Sequence, residues 1–542
     1  MIVTPLTVRG SGKISGTFLS PKKNILAISS TFSLLSNSSG RAAYKGQRLR
    51  QRLALHRRGE AHPFATCDEL QLPINEVSFH PNESVIAIGA GRYDGGYLFE
   101  GELVLWNWET GVTWRPARRI PEVVHCSFNS AGDRLDSLVR PWDDEWGGEQ
   151  TSVESFERLY PVSFDYQRGE IASKVEIEID PRLIVAKASA ESHPIAAERG
   201  NAVPQQLRSW FGIEVPVLRG AIWDIAWVDE DRVAVVHDDC LIEFHQLSTH
   251  QSTRFAGGGR GVSILRTKPL LVEVVPVSNW DPPISRLLAI AADGAITNVG
   301  TFDGTYNFVS SRNSCVLGRL DRHRAGSADS DILLEIETGQ VRRLDLGHYD
   351  CFNHYIGIDG APYLFFLQGT PPDSHKMKRL CRIAPNKGVE SLWPVLPEDA
   401  RTIGHATECR GCYANDASGE GVAIAGWHFG KDTGFIYRKA FDADCQLWSH
   451  VTSSAASALS HLPKLGMIAA AFLDGTILLI EAQTGEILLR GRTVVAGLDT
   501  VIFSMDAMDD KLAIGTFDGQ IAILSVAELV HASRECCEVD LA

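Results

Sequence analysis

The sequence predicts an all-β fold, a single ring of about seven to nine four-stranded blades with loop insertions, on two observations. An apolar strand, an Asp-Gly turn and a second apolar strand occur at Leu465–Ile480 and again at Leu512–Leu524, with Asp474 and Asp518 44 residues apart. Asp-Gly supplies the positive φ angles of a type I′ turn, so the flanking runs pair as hairpins. The 48 glycines and 12 tryptophans in 542 residues also favour short strands and tight turns.

The N-terminal half contains a variant of the same unit. Val77–Ile88 is a strand, a Pro-centred turn and a second strand, and Gly101–Gly111 is a third strand that ends in a Thr-Gly turn. A period of about 40–45 residues with several short strands is typical of a β-propeller blade. Two seven-bladed rings would need roughly 560 residues or more. The sequence therefore predicts one ring over residues 1–530 and a C-terminal tail at 531–542.

Nine blade-like units and one long insertion are visible along the chain. The units lie near residues 13–60, 74–117, 122–168, 217–250, 260–310, 350–390, 405–450, 453–492 and 497–527. Residues 169–215 interrupt the repeat, and short helices are expected at 182–191 and 204–211 within them. This insertion is interpreted either as a decorated loop between blades or as an element that docks a partner, since loops on rigid scaffolds often carry function.

The repeat motifs resemble two kinds of propeller protein. Val77–Pro81, Ile86–Gly89 and Val104–Gly111 resemble WD40-like repeats, whereas Ala440–Trp448 and Glu481–Glu486 are similar to quinoprotein-type repeats. The resemblance is divergent and covers most of the chain. It implies a propeller that binds other macromolecules or, in the quinoprotein case, an enzyme that uses its central channel.

Charge and composition restrict the compartment and the partners. The net charge is −15, which argues against a nucleic-acid footprint over the whole body and leaves room for one local basic patch. The N-terminus lacks the pattern of a secretory signal, and the longest apolar runs are too short to span a bilayer. The 11 scattered cysteines favour reduced thiols. We therefore expect a cytoplasmic protein with no membrane partner.

An acidic, aromatic loop at residues 141–157 is the first candidate interaction site. Its centre holds the candidate docking residues Trp142, Asp143, Asp144, Glu145 and Trp146. Exposed tryptophan is costly unless a partner covers it, so the loop is interpreted as a docking site for a basic partner. A solvated loop is the alternative.

A basic segment at residues 41–58 is the second candidate, with seven basic residues in eighteen and no acid. Its candidate polyanion contacts are Arg48, Arg50, Arg52, Arg57 and Arg58. Nucleic acid is expected as a partner only through this segment, since phosphate contacts need local positive charge. The alternative is that these arginines pair with acidic residues of this protein or of a partner.

Motifs of catalysis and metal binding are incomplete. Cys409 and Cys412 form a Cys-x-x-Cys pair near His405 and His428, but zinc needs four well-placed ligands and a second Cys pair is missing. The adjacent cysteines 536 and 537 match the vicinal pair of some quinoprotein dehydrogenases, but they lie beyond the last blade. The sequence predicts no catalytic residue, no cofactor and no metal site.

The sequence thus predicts a non-catalytic scaffold that mediates protein–protein interactions in a cytoplasmic assembly. Two alternatives stay open: a quinoprotein-like enzyme that uses the central channel, and a regulatory sensor that works with a partner ATPase in a prokaryotic multi-protein system. Fold does not set function, so this step is an analogy.

Overall fold

The computed structural model forms two compact units, both built from antiparallel sheets. The N-terminal unit takes the described residues of Pro5–Ser33 and Leu49–Arg219, and the C-terminal unit takes those from Gly220 onward. The structure describes the chain except residues 1–7, 9, 23, 33–48, 94–98, 141–157, 168–176, 179–192, 195–202, 213–219, 238–239, 277–281, 292–294, 311–314, 323–329, 347–355, 359–360, 370–377, 385–387, 402, 528–529, 531–538 and 541–542.

The described residues of the N-terminal unit form three sheets and one helix. Sheet 1 is β1 (Lys13–Leu19), β2 (Ile25–Thr31), β3 (Gln51–Arg57) and β4 (Ala65–Cys67). Sheet 2 is β5 (Ile74–Phe79), β6 (Val85–Tyr93), β7 (Phe99–Asn107), β8 (Thr113–Trp114), β9 (Ala117–Pro121) and the later β13 (Ile177–Glu178). Sheet 3 is β10 (Val123–Phe128), β11 (Arg134–Val139), β12 (Arg158–Asp165) and β14 (His193–Pro194). The helix α1 spans Val203–Phe211.

The C-terminal unit begins with four sheets in chain order. Sheet 4 is β15 (Ile222–Asp229), β16 (Arg232–His237), β17 (Leu241–Gln246) and β18 (Gln251–Ala256). Sheet 5 is β19 (Arg260–Leu265), β20 (Leu270–Val275), β21 (Ile284–Ile290) and β22 (Ile296–Asp303). Sheet 6 is β23 (Thr305–Ser310), β24 (Cys315–Arg322), β25 (Asp331–Glu335) and β26 (Val341–Leu344). Sheet 7 is β27 (Leu364–Gln368), β28 (Arg379–Ala384) and β29 (Gly388–Pro394).

A short helix, α2 (Glu398–Arg401), leads into the last three sheets. Sheet 8 is β30 (His405–Asp416), β31 (Gly419–Phe429), β32 (Thr433–Ala440) and β33 (Trp448–Thr452). Sheet 9 is β34 (Ala456–Leu462), β35 (Met467–Phe472), β36 (Thr476–Glu481), β37 (Ile487–Val495), β38 (Leu498–Asp499) and the parallel β42 (Val539–Asp540). Sheet 10 is β39 (Ile502–Met508), β40 (Lys511–Thr516) and β41 (Ile521–Ser525).

Hairpin turns lie where the Asp-Gly pairs predict them. Gly475 and Gly519 have φ angles of 85° and 74°, the left-handed region in which glycine has no steric cost. The Asp474 carboxylate accepts the Thr476 N–H at 2.9 Å, which fixes the turn before β36. The hairpins are confirmed at both positions, but the type I′ turn is not, because Asp474 and Asp518 do not have positive φ angles.

Apolar side chains pack the sheets of the N-terminal unit together. Sheets 1 and 2 share one buried cluster, and sheets 2 and 3 share another. The helix α1 covers the other face of sheet 1, where Leu207 and Trp210 pack on Leu26 and Ile28. The insertion at 169–215 therefore contributes a strand to sheet 2, a strand to sheet 3 and this helix, and its apolar helix face is used within the chain.

In the C-terminal unit each sheet packs on the next one. Buried apolar clusters join sheets 5 to 6, 6 to 7, 7 to 8, 8 to 9 and 9 to 10, and the first strands of sheets 4 and 5 are in contact. The last sheet also packs on the first, because Ala513 and Ile521 of sheet 10 meet Ile222 and Val233 of sheet 4. The seven sheets therefore contact each other in cyclic order.

The predicted all-β class and the repeated blade-like sheets are confirmed. Each of the nine units predicted from the sequence corresponds to a sheet, and the structure adds sheet 6, which the sequence prediction divided between a neighbouring unit and a loop. Its hairpins contain no Asp-Gly turn, but the hairpins of sheets 1, 3, 4, 7 and 8 contain none either, so the turn residues alone do not explain the omission. The helix predicted at 204–211 is confirmed as α1, and the one predicted at 182–191 lies outside the described residues. Among the described helices, neither has the length and apolar character to cross a bilayer.

Candidate functional site

The first strands of sheets 4, 8, 9 and 10 line a cavity of about 640 Å³ in the C-terminal unit. Residues Gly357 and Pro362, which precede sheet 7, and Arg266, which follows the first strand of sheet 5, complete the wall. The first strands present runs of consecutive residues to this space, such as 457–461 of sheet 9 and 503–507 of sheet 10. The cavity thus lies where the first strands of four sheets of the C-terminal unit come together.

A network of one arginine and two aspartates joins sheets 4, 5 and 10 at the cavity wall. The Arg266 guanidinium donates to both carboxylate oxygens of Asp224 at 2.8 and 3.0 Å, and its Nε lies 3.9 Å from Asp506 Oδ1. Asp224 also accepts the Ile264 N–H at 2.8 Å, and Asp506 accepts the Trp227 N–H at 2.8 Å. Bidentate, charge-assisted bonds of this kind are the strong ones. The charged side chains of Asp224, Arg266 and Asp506 therefore bind each other and stabilise the contacts among the three sheets.

A second polar pair lies at sheet 8. The Tyr363 hydroxyl donates to Glu420 Oε2 at 3.0 Å, and burial followed by the nearby Glu420 charge raises the Tyr363 pKa. The Arg382 guanidinium stacks over the Tyr363 and Phe441 rings at 4.5 and 4.6 Å. Tyr363 therefore stays protonated at neutral pH and keeps its hydrogen bond to the carboxylate.

His461 contributes a neutral imidazole to the cavity wall. Its Nε2 atom is buried and has no hydrogen-bond partner among the described residues. Burial, and then the Arg438 charge, lower its pKa from 6.5 to about 4. A neutral imidazole nitrogen at a cavity wall can bond a ligand group, since it carries either a proton or a lone pair.

The stability of the C-terminal unit is expected to fall as the pH is lowered from about 6.5 to about 4. In this window the unfolded chain protonates His461 and the folded chain does not, so acid favours the unfolded state. The variant His461→Gln is expected to flatten this part of the stability–pH curve, measured by urea unfolding at several pH values. The variant His250→Asn changes an exposed histidine with a φ of 55° and serves as the control. An unchanged slope in His461→Gln would contradict the expectation.

The structure distributes the predicted polyanion contacts over different environments. Arg48 lies outside the described residues, and Arg50 is only partly exposed. Arg52 is fully buried in β3, where it donates to the Asp68 carboxylate at 2.6 and 2.7 Å and to the Gly10 carbonyl at 3.0 Å. A buried guanidinium with a carboxylate partner does not reach a phosphate. Arg52 is thus a core ion pair, the alternative that the sequence analysis left open.

The exposed cations of this segment are Arg57 and Arg58. The Arg57 guanidinium lies 3.6 Å from the Glu60 carboxylate and 4.6 Å from the Phe64 ring centre. Arg58 lies over the Trp210 ring at 5.9 Å. Contact between a guanidinium and an aromatic face orients the cation without consuming its charge. Among the described members of the candidate set, Arg57 and Arg58 are the exposed ones.

The cysteine pair does not form a chelating site. Cys409 packs in the cluster shared with sheet 7, whereas Cys412 packs in the cluster shared with sheet 9, so the two thiols lie on opposite faces of sheet 8. Burial raises the Cys412 pKa to about 12, which disfavours the thiolate that binds metal. Both ring nitrogens of His428 lie within hydrogen-bond distance of backbone groups, the Ala400 carbonyl at 3.0 Å and the Lys431 N–H at 3.0 Å. Among the described residues, no group of three or more acidic, histidine or cysteine side chains is arranged for a metal ion.

Two sets of predicted residues lie outside the described residues. They are the docking residues Trp142, Asp143, Asp144, Glu145 and Trp146, and the adjacent cysteines 536 and 537. The sequence analysis missed the network of Asp224, Arg266 and Asp506, whose members are up to 282 positions apart. The available signal was a charged residue inside a strongly apolar strand, as Asp224 is within Ile222–Trp227.

Comparisons with known proteins find similarity only at the level of three-dimensional structure. No protein-family model and no curated protein matches the chain. Solved structures that are similar include the WD40 repeats of RRP9, at 10% identity and a TM-score of 0.38, over 55% of this chain and 88% of that one. Sqt1 of Saccharomyces cerevisiae is 10% identical with a TM-score of 0.38, over 57% and 84%, and the WD40 propeller domain of Doa1 is 14% identical with a TM-score of 0.36, over 56% and 92%.

Proposed function

We propose that the protein is a non-catalytic β-propeller scaffold that binds partner proteins in a cytoplasmic assembly. In this proposal sheets 4 to 10 form one closed ring of seven blades over residues 222–525, in place of the ring predicted over residues 1–530. The cyclic order of sheet contacts supports this ring, above all the packing of sheet 10 on sheet 4. Sheets 1 to 3 form a separate compact unit on the same chain.

The cavity between the first strands is the proposed binding site, and one observation carries the proposal. Its strongest charges, on Asp224 and Arg266, are bound to each other, while exposed and half-buried polar groups such as Asn415 and His461 remain at the wall. A rigid wall with a few hydrogen-bonding groups suits recognition of another molecule. Rigid elements of this kind hold contact residues in place and lower the entropic cost of binding.

Blocking the cavity is expected to release protein partners. The variant Asn415→Trp adds a large side chain at an exposed position that lines the cavity. Chemical cross-linking of the full chain followed by mass spectrometry is expected to show about a tenfold or larger loss of its partners, the scale of a hot-spot contact.

The matched control is Asp444→Trp, which places the same side chain on an exposed loop of the same sheet. It is expected to keep the partners of the unmodified protein. An identical partner set for both variants would remove the cavity as the binding site. The quinoprotein-like enzyme and the sensor with an ATPase partner stay predictions from the sequence.

A further inference from the structure

A second cavity, of about 340 Å³, lies between the outermost strand of sheet 8 and the face of sheet 9. We call it the groove, and its walls come from residues 451–453 of sheet 8 and from β36 and β37 of sheet 9. Val451 is 74% exposed, the largest value for a large apolar side chain among the described residues. Phe472 and Leu478, both buried, line the groove beside it. The groove therefore combines a mixed lining, with several hydroxyl and guanidinium groups, and one apolar side chain open to solvent.

The groove also contains an arginine, Arg490, whose guanidinium forms no ion pair with a described residue. The Arg492 side chain donates to Asp499 at 2.7 Å, whereas the Arg490 side chain makes no ion pair or hydrogen bond with a described residue. The neighbouring Asp474 has both oxygens occupied, since it accepts the Ser453 hydroxyl at 2.8 Å and the Thr476 N–H at 2.9 Å. Arg490 is thus available to a ligand, and its fixed planar fork suits a carboxylate.

The strand beside the groove has a free edge. β33 is the last strand of sheet 8, and no described strand pairs with its outer side. Ser449 and Val451 on this strand are exposed. An unpaired edge offers backbone N–H and C=O groups to an added strand, which is a common way to bind an extended peptide.

We propose that the groove binds an extended, acidic segment of a partner protein. An apolar side chain of the segment covers Val451, a carboxylate pairs with Arg490, and the segment backbone lies along the edge of β33. Charge complementarity selects this partner over a basic or uncharged segment, because Arg490 is the groove cation that has no ion pair with any described residue. The site is separate from the first-strand cavity, so this inference does not depend on the cavity proposal.

The test selects peptides with the full-length protein as bait. Random twelve-residue peptides on phage are expected to enrich sequences that alternate acidic and apolar residues, and one such peptide is then synthesised with a fluorescent label. Its affinity is expected to fall about tenfold or more in Arg490→Glu, since a charge-assisted hydrogen bond contributes about 1.5–3 kcal/mol. Val451→Asp is expected to weaken binding as well, because it places a like charge against the acidic peptide.

Arg342→Glu is the matched control, since Arg342 is an exposed arginine beside the exposed Val341 on β26, the last strand of sheet 6. It is expected to bind the peptide like the unmodified protein, as is the cavity variant Asn415→Trp. Amide hydrogen exchange gives a reading without substitution, with protection expected at residues 448–453. Enrichment of other peptide classes, equal binding by folded Arg490→Glu, or no protection of β33 would overturn the inference.

Discussion

Replacing Asp224 by alanine is expected to lower the free energy of unfolding of the C-terminal unit by about 3–5 kcal/mol. The substitution removes the bidentate partner of Arg266, whose side chain is only 15% exposed, and leaves that cation in the junction of sheets 4, 5 and 10. It also removes the acceptor of the Ile264 N–H. Sheet 10 packs on sheet 4, the first sheet of this unit, and Arg266 follows the first strand of sheet 5. Loss of the Asp224 carboxylate therefore weakens the interfaces among sheets 4, 5 and 10 at once. Urea unfolding followed by tryptophan fluorescence measures the effect.

The control for this prediction is Asp229→Ala. Asp229 also pairs with an arginine, Arg232, but both side chains are substantially exposed. Solvent-exposed pairs contribute roughly 0–1 kcal/mol, so only a small change is expected. The double variant Asp224→Ala with Arg266→Met is expected to recover part of the stability, because it removes the stranded charge as well. Equal losses for Asp224→Ala and Asp229→Ala would contradict the assignment of Asp224 to a structural network.

Reversing the charge at Arg52 is expected to destabilise the N-terminal unit by about 3–5 kcal/mol or more. Arg52→Glu places a carboxylate at a fully buried position, where it cannot donate to Asp68 and is repelled by that carboxylate. The Gly10 carbonyl loses its donor as well. The Arg57→Glu and Arg58→Glu variants change exposed side chains and are expected to alter stability by less than about 1 kcal/mol. Thermal unfolding of the three variants distinguishes the buried cation from the exposed ones.

This contrast changes how polyanion binding is tested. Loss of nucleic-acid retention in Arg52→Glu would report unfolding, so the test requires Arg57→Glu and Arg58→Glu. With two phosphate contacts, the slope of log affinity against log salt is expected near −1.8 for duplex DNA, instead of the steeper value for four to six contacts. Similar stability of Arg52→Glu and the unmodified protein would contradict the buried ion pair. No retention of DNA by the unmodified protein at low salt would remove nucleic acid from the expected partners.

Local patterns in the chain were sufficient for the class of fold. A hairpin forms from neighbouring residues, so its signal, alternating apolar residues around an Asp-Gly or Pro-centred turn, is contained in one short stretch such as Leu465–Ile480. The same reasoning located nine of the described sheets and the helix at 204–211. It failed at sheet 6, whose strands the predicted units divided between residues 260–310 and the connection that follows.

The partners of charged residues depend on packing between segments that are distant in the sequence. Within residues 41–58 the arginines look alike, yet Arg52 lies inside β3, which is buried on both faces, and pairs with Asp68, whereas Arg57 is the last residue of the strand and reaches solvent. The alternation of side chains along a strand and the bulge in β30 separate Cys409 from Cys412. Asp224, Arg266 and Asp506 meet only when sheet 10 packs on sheet 4, a contact between ends of the unit that no local period specifies. Hairpins are thus encoded by neighbouring residues. The cavity, the groove, and the partner and exposure of each charged side chain depend instead on how the sheets pack together.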